Sequence, residues 1–352
     1  MRISFYSDRM KFNGNDLEKV GLGGSESALI NLSNALLRID KTLDITVYNG
    51  SDRLTNEIYN GIKYKSILDF NFDCKHFNMD VFISLRGQLP FLKSYVDSKV
   101  KCFWSEDDME ENALIDLSNR LYGKTNVDLF LCVSNHSINS IKTAFPDNNM
   151  LLLRNGYNEE WVVKKKKDLK NPVCIYTSTP FRGLDVLSEI WPYIFKGCLD
   201  KGYNPSLRVF GDMSLYKVQD NFNGLYNIIN NLPNSKHFGS IPQKDLYNEY
   251  SISKVMLYPN HFRETSCMAV LEALANDCWV VTTNLGALSE QVIDNRNGFL
   301  VSGDAHTLDY KKEFIFKSID SICNPYIPDS SGLIFSWENQ AKLLLNKLKG
   351  MI

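Results

Sequence analysis

The sequence predicts an α/β protein made of two tandem Rossmann-like domains, each a parallel sheet covered by helices. Three observations carry that expectation. Short apolar runs alternate with stretches of helical periodicity, the pattern of parallel strands joined by crossover helices. The alternation breaks once, near "LLLRNGYNEEWVVKKKKDLKNP", and then restarts. At 352 residues the chain also exceeds the size at which one hydrophobic core usually stops growing.

In chain order, "RISFYS" reads as a buried strand. After a polar loop, "GGSESALINLSNALLRI" places Ala28, Leu29, Leu32, Ala35, Leu36 and Ile39 at helical spacing. "DITVYN", "DVFISL", "VKCFW" and "VDLFLCV" read as further strands, with helical stretches after the last two. Beyond the break come "VCIYTS", a helix from Leu184 to about Cys198, "SLRVFGD", "KHFGSI", a helix from about Gln243, and "KVMLYP". An apolar helix near Val270, then "CWVVTT" and "GFLV", complete this half. In "FSWENQAKLLLNKLKG", Trp337, Ala341, Leu344, Leu345 and Leu348 form one stripe of an amphipathic helix. The expected domains are 1–165, 166–335, and a final helix at 336–352 that packs back toward the first domain. Two doubly wound domains in series predict a ligand cleft between the carboxyl ends of their strands.

A net charge of -2 leaves no basic field for a phosphate backbone, so nucleic acid is not an expected partner. The one basic run, Lys164 to Lys167, reads as a solvated linker, with weak peripheral contact to acidic lipid as the competing reading. No apolar leader and no run of some 18 apolar residues is visible, so a cytoplasmic location is expected. The eight cysteines are scattered, without C-x-x-C or clustered histidines, which argues against zinc and against a disulfide framework.

Two glycine turns lead into helices. In "GLGGSE", Gly23 and Gly24 do not complete a G-x-G-x-x-G fingerprint, because position 26 is Glu26. Flexible backbone opening a helix still suits a phosphate, although a purely structural turn accounts for the same letters. In "YTSTPFRGLDVL", Arg182 sits at a strand-to-helix turn, suited to a diphosphate or to a surface ion pair.

The stretch "HFRETSCMAVLEALAN" sets Glu264 before an apolar run and Glu272 inside it, where an ionised group needs partners. Thr265 or Ser266 is expected to cap the helix, so that Ser266, Cys267 and Met268 present N–H groups to an anion. Sugar, diphosphate and ribose in series would then meet Glu264, the helix start and Glu272. "ETSCMAVLE", with "HFGSIPQKDLYNEYSISKVMLYPNHFRETSC" before it and "VVTTNLGALSEQV" and "NGFLV" after it, resembles the E-x7-E region of the family-four retaining glycosyltransferases of GT-B fold. The resemblance is strongest over about residues 172–303, and "GLGGSESALINLSNAL" is a weaker match.

The resemblance implies a GT-B enzyme that transfers a hexose-type sugar from a nucleotide-diphosphate sugar to a hydroxyl of a glycan or glycoconjugate. It implies retention of configuration, no metal and no cofactor beyond the donor. Glu264 matches the glutamate that contacts the donor sugar, Glu272 the one that binds ribose, and Arg182 the basic position before the glycine. Thr177 and Ser178 stand where relatives carry an arginine, and "CFWSEDDMEEN" offers Trp104, Ser105, Glu106 and Asp107 where many present a histidine. A nucleotide-sugar epimerase of the same fold and a non-catalytic carbohydrate-binding relative remain as alternatives.

Overall fold

The structure, a computed structural model, describes residues 1–50, 57–93, 96–121 and 126–352. It contains two compact units. The first comprises Met1–Asp16, Gly24–Gly156 and Phe335–Ile352, and the second Leu17–Gly23 and Tyr157–Ile334. The unit break thus falls between 156 and 157, at the Asn155-Gly156 turn, where the sequence reading set it at 165.

The first unit opens with β1 (Arg2–Ser7), α1 (Gly24–Ile39), β2 (Asp44–Asn49), β3 (Glu57–Tyr59), β4 (Ile62–Lys65) and α2 (Ile67–His76). It continues through β5 (Met79–Leu85), α3 (Leu89–Leu92), β6 (Ser98–Ser105), α4 (Asn112–Leu121), β7 (Leu129–Cys132), α5 (Asn135–Lys142) and β8 (Met150–Leu152). The eight strands run in the order β3-β4-β2-β1-β5-β6-β7-β8, parallel except for the β3–β4 hairpin. A chain of tilted rings, Tyr6, Phe70, Phe82, Phe91, Phe103, Phe130 and Phe145, fills one side of this sheet.

The second unit contains β9 (Val173–Thr177), α6 (Leu184–Leu199), β10 (Ser206–Phe210), α7 (Asn223–Asn231), β11 (Ser235–His237) and α8 (Gln243–Ile252). Then follow β12 (Ser253–Tyr258), α9 (Met268–Ala275), β13 (Trp279–Thr283), β14 (Gly298–Val301) and α10 (Leu308–Cys323). All six strands are parallel, in the order β11-β10-β9-β12-β13-β14. The strand order reverses between β9 and β12, so the loops leaving their carboxyl ends diverge and leave room for a ligand. Strands β12 and β13 are buried throughout, as a sheet covered on both faces requires.

The last helix, α11 (Trp337–Lys349), belongs to the first unit. Ser336 and Asn339 form a capping box at its start. The stripe of Trp337, Ala341, Leu344, Leu345 and Leu348 is buried, and α11 packs on α1, with Arg38 hydrogen-bonded to Glu338 at 2.9 Å.

Candidate active site

The topology of the second unit decides which side chains meet. Arg182 lies on the turn after β9 and Glu264 on the loop after β12, and these strands are neighbours at the point where the order reverses. The guanidinium Nη1 donates to Glu264 Oε1 at 3.0 Å. The Tyr258 hydroxyl donates to the same oxygen at 2.6 Å, and its own neighbour is the Ser178 hydroxyl at 3.4 Å. Phe262 stacks its ring 4.4 Å from the guanidinium carbon. Burial works against the Arg182 charge, but Glu264 together with Tyr258, Tyr216 and Cys267 outweighs it and carries the pKa above its ordinary value. Arg182 Nε remains a buried donor with no partner among the described residues.

Two glycines fix the geometry of this pair. Gly183 adopts φ +112°, and a Cβ there would stand 2.2 Å from the Pro259 carbonyl oxygen, so the turn after β9 touches the loop after β12 through backbone alone. Gly286, at φ +61°, would bring a Cβ to 2.3 Å from the Glu264 carbonyl oxygen. That oxygen accepts from the Ala287 N–H at 2.7 Å, so the turn after β13 holds the Glu264 backbone in place.

Glu264 therefore stands on the lead-in loop and Glu272 within α9, as their spacing suggested. The start of α9 departs from expectation. The helix begins at Met268 with Cys267 at the N-cap, and no side chain caps it there, so Thr265 and Ser266 lie on the loop, half-buried. The Cys267 N–H is not offered to an anion, because Gln291 accepts from it at 3.2 Å and donates back to the Cys267 carbonyl at 3.1 Å. A buried amide needs such a partner, and the Gln291 side chain supplies both halves of the exchange. Burial also raises the Cys267 thiol pKa, so the sulfur stays protonated.

Glu272 is buried, at 3% exposure, and its carboxylate accepts from the Gln243 side-chain amide at the start of α8. Burial pushes its pKa up to about 8, against the lowering effect of hydrogen bonds from Gln243 and Tyr250. Tyr250 in turn meets Thr177 Oγ1 at 2.7 Å. Thr177 and Ser178, which stand in place of an arginine, are thus tied to the tyrosines that serve the two glutamates.

The lysine run is more than a solvated linker. Lys164 Nζ donates to the Ala275 carbonyl at 2.7 Å and pairs with Asp277 at 2.6 Å, and Lys167 Nζ donates to the Asn276 carbonyl at 2.9 Å. Both lysines cap the carboxyl end of α9, where unpaired carbonyls and the helix dipole favour cations.

The first unit has its own polar cluster at the β1/β5 reversal. Gly24 opens α1, while Gly23 just before it closes the Leu17–Gly23 segment of the second unit. Arg86, in left-handed backbone at φ +59°, follows β5. Its guanidinium donates to Asp107 at 2.5 and 3.1 Å and to Ser25 Oγ at 3.3 Å. Half-buried Glu106 accepts from Asn155 at 3.0 Å, and withdrawal of its carboxyl from water pushes its pKa up to about 7. His136, missed in the sequence, meets Asp108 at 3.0 Å; nothing in its local sequence marks it, since the pair joins residues 28 apart. No helix of the described residues is long and apolar enough to cross a membrane.

Comparison with known proteins bears on the fold and on the sequence of the second unit. Residues 158–311 match the family model of glycosyl transferases group 1. An uncharacterized glycosyltransferase from Methanocaldococcus jannaschii is 26% identical over 179 residues, 51% of this chain and 46% of that protein, so the chain spans about half the length of this curated relative. Sucrose-phosphate synthase from Thermosynechococcus elongatus superposes with a TM-score of 0.73 at 14% identity, over 99% of this chain and 98% of that one. HepE from Anabaena, solved with UDP and glucose, superposes with a TM-score of 0.67 at 13% identity, over 99% and 100% of the two chains. Residues 158–311 thus resemble the group 1 glycosyl transferases, within a chain of GT-B fold.

Proposed function

We propose that the protein is a retaining glycosyltransferase that moves a hexose-type sugar from a nucleoside-diphosphate sugar to a hydroxyl of a glycan or glycoconjugate, without a metal. The observation that carries this reading is Arg182, held against Glu264 and Tyr258 with one guanidinium donor still unpaired in a buried place at the strand-order reversal. A diphosphate oxygen satisfies that donor, and the guanidinium opposes the charge that grows on the diphosphate as it leaves. The neighbour solved with UDP and glucose supports a nucleotide-sugar donor.

In the proposed reaction the bond from the anomeric carbon to the β-phosphate oxygen breaks. The acceptor oxygen bonds to the same face of that carbon, and its proton passes to the departing diphosphate. Glu264 holds donor-sugar hydroxyls and Glu272 accepts from the ribose hydroxyls. Thr265 and Ser266 line the approach to the diphosphate. Gly23 and Gly24 give flexible backbone at the start of α1 that suits a phosphate, and in the first unit Glu106 and Asp107 lie near the acceptor hydroxyl.

The test is Glu264→Gln. Turnover of a nucleotide sugar should fall at least about a hundredfold, because a neutral amide replaces the charged partner in the transition state. Calorimetric binding of the nucleoside diphosphate should persist. Full turnover by the variant would remove Glu264 from the reaction.

A further inference from the structure

Three side chains beside the Arg182–Glu264 pair converge on one point of the second unit. Asp185 stands in the first turn of α6, His261 on the loop after β12 and His306 on the loop after β14. His261 Nε2 lies 3.3 Å from Asp185 Oδ1, and His306 Nδ1 lies 3.9 Å from Asp185 Oδ2. One ligand atom from each residue falls within 4.8 Å of the others, and the two imidazole centroids are 4.9 Å apart.

We propose that Asp185, His261 and His306 form a binding site for a divalent transition ion of the zinc class. Two imidazoles and one carboxylate are ligands such ions favour, whereas magnesium and calcium take oxygen sets. Zinc–nitrogen and zinc–oxygen bonds of about 2.0–2.1 Å put tetrahedral ligand atoms about 3.3–3.4 Å apart. The His261–Asp185 separation already has that value, and His306, 3.9 Å from the other carboxylate oxygen, must turn to close the rest. Its side chain is 51% exposed and that of Asp185 43%, so both can turn. The open side leaves a position for water, as in sites with three protein ligands.

Such an ion would clamp three segments that are distant in sequence. It would bind close to the donor-site pair without entering it: Asp185 follows Arg182 by three residues, and His261 precedes Glu264 by three. That separation in the chain also explains why no histidine cluster is visible in the sequence.

The test is made on the full chain stripped of metal, by equilibrium dialysis against micromolar zinc and by cobalt(II) spectroscopy. About one zinc should bind per chain. Its affinity should fall at least about tenfold in His306→Ala and in His261→Gln, because each removes a ligand. Magnesium in excess should not displace the ion. The cobalt spectrum should lack a thiolate band, since every cysteine is buried. Equal zinc binding by wild type and His306→Ala, a cobalt–thiolate band, or no binding at micromolar zinc would each overturn the proposal. None of these readouts uses transfer activity, so failure here leaves the transferase reading standing, and failure of transfer leaves this site standing.

Discussion

The Arg182 guanidinium lies 3.0 Å from the Glu264 carboxylate, joining the loops that leave two adjacent strands of one sheet. Both side chains are largely withdrawn from water, at 23% and 4% exposure. Removing one partner of such a pair strands the other in a place where its charge is costly.

Arg182→Ala should therefore act twice. Affinity for a nucleoside diphosphate should fall about 10- to 100-fold, the worth of one to two charge-assisted hydrogen bonds. Affinity for the free nucleoside should not change. Calorimetry with the two ligands separates these outcomes, and an equal loss for both would count against phosphate contact. The variant should also melt at a lower temperature than Arg182→Lys, which keeps a cation beside Glu264.

Glu272 predicts a pH dependence in two observables. Its carboxyl binds a proton more tightly when folded, with a pKa about 8 against an ordinary 4.5. The folded state therefore loses stability as pH rises from about 4.5 through about 8, and loses no more from this group above that. Glu272→Gln should flatten the melting-temperature profile across that window. If the charged carboxylate receives the ribose hydroxyls, nucleotide affinity in the wild type should rise toward pH 8 and level off above it. A flat affinity profile in the wild type would exclude the carboxylate from ribose binding.

Gly286→Ala tests the turn that holds the Glu264 backbone. A Cβ at 2.3 Å from the Glu264 carbonyl oxygen, in left-handed backbone, forces the loop to move. Stability should fall by about 1–3 kcal/mol, and turnover should fall further than nucleotide binding does. Unchanged turnover would show that the position of Glu264 tolerates displacement.

Chelation separates the reaction from the proposed ion site. Incubation with EDTA should leave transfer intact, even where it removes zinc held by His261 and His306. Loss of activity restored by magnesium would overturn metal-free transfer.

The strands of both units were legible because runs such as "VVTT" and "FISL" are long, apolar and β-branched or aromatic. The β3–β4 hairpin carried a readable signal that the sequence reading passed over: Asn60 and Gly61 take φ +52° and +85°, as an Asn-Gly turn between short strands requires. Helix α10 was hidden because its buried face includes Ser318 and Ser321, which blur the apolar stripe. At the site, the spacing located Glu264 and Glu272 on loop and helix. Their partners Tyr258 and Gln243 come from other elements, and local pattern does not register such meetings. The helix start was misjudged because Gln291, 24 residues downstream, already occupies the Cys267 amide.

The four identical letters from Lys164 to Lys167 are not equivalent in what substitution they tolerate. Lys164 and Lys167 each reach a terminal carbonyl of α9, so both positions demand a long side chain ending in a donor. Lys165 and Lys166 are exposed, and any solvated residue serves there. Drift along a lineage should leave the outer two basic while the inner two wander, so that the run becomes a spaced pair and its homopolymeric look disappears.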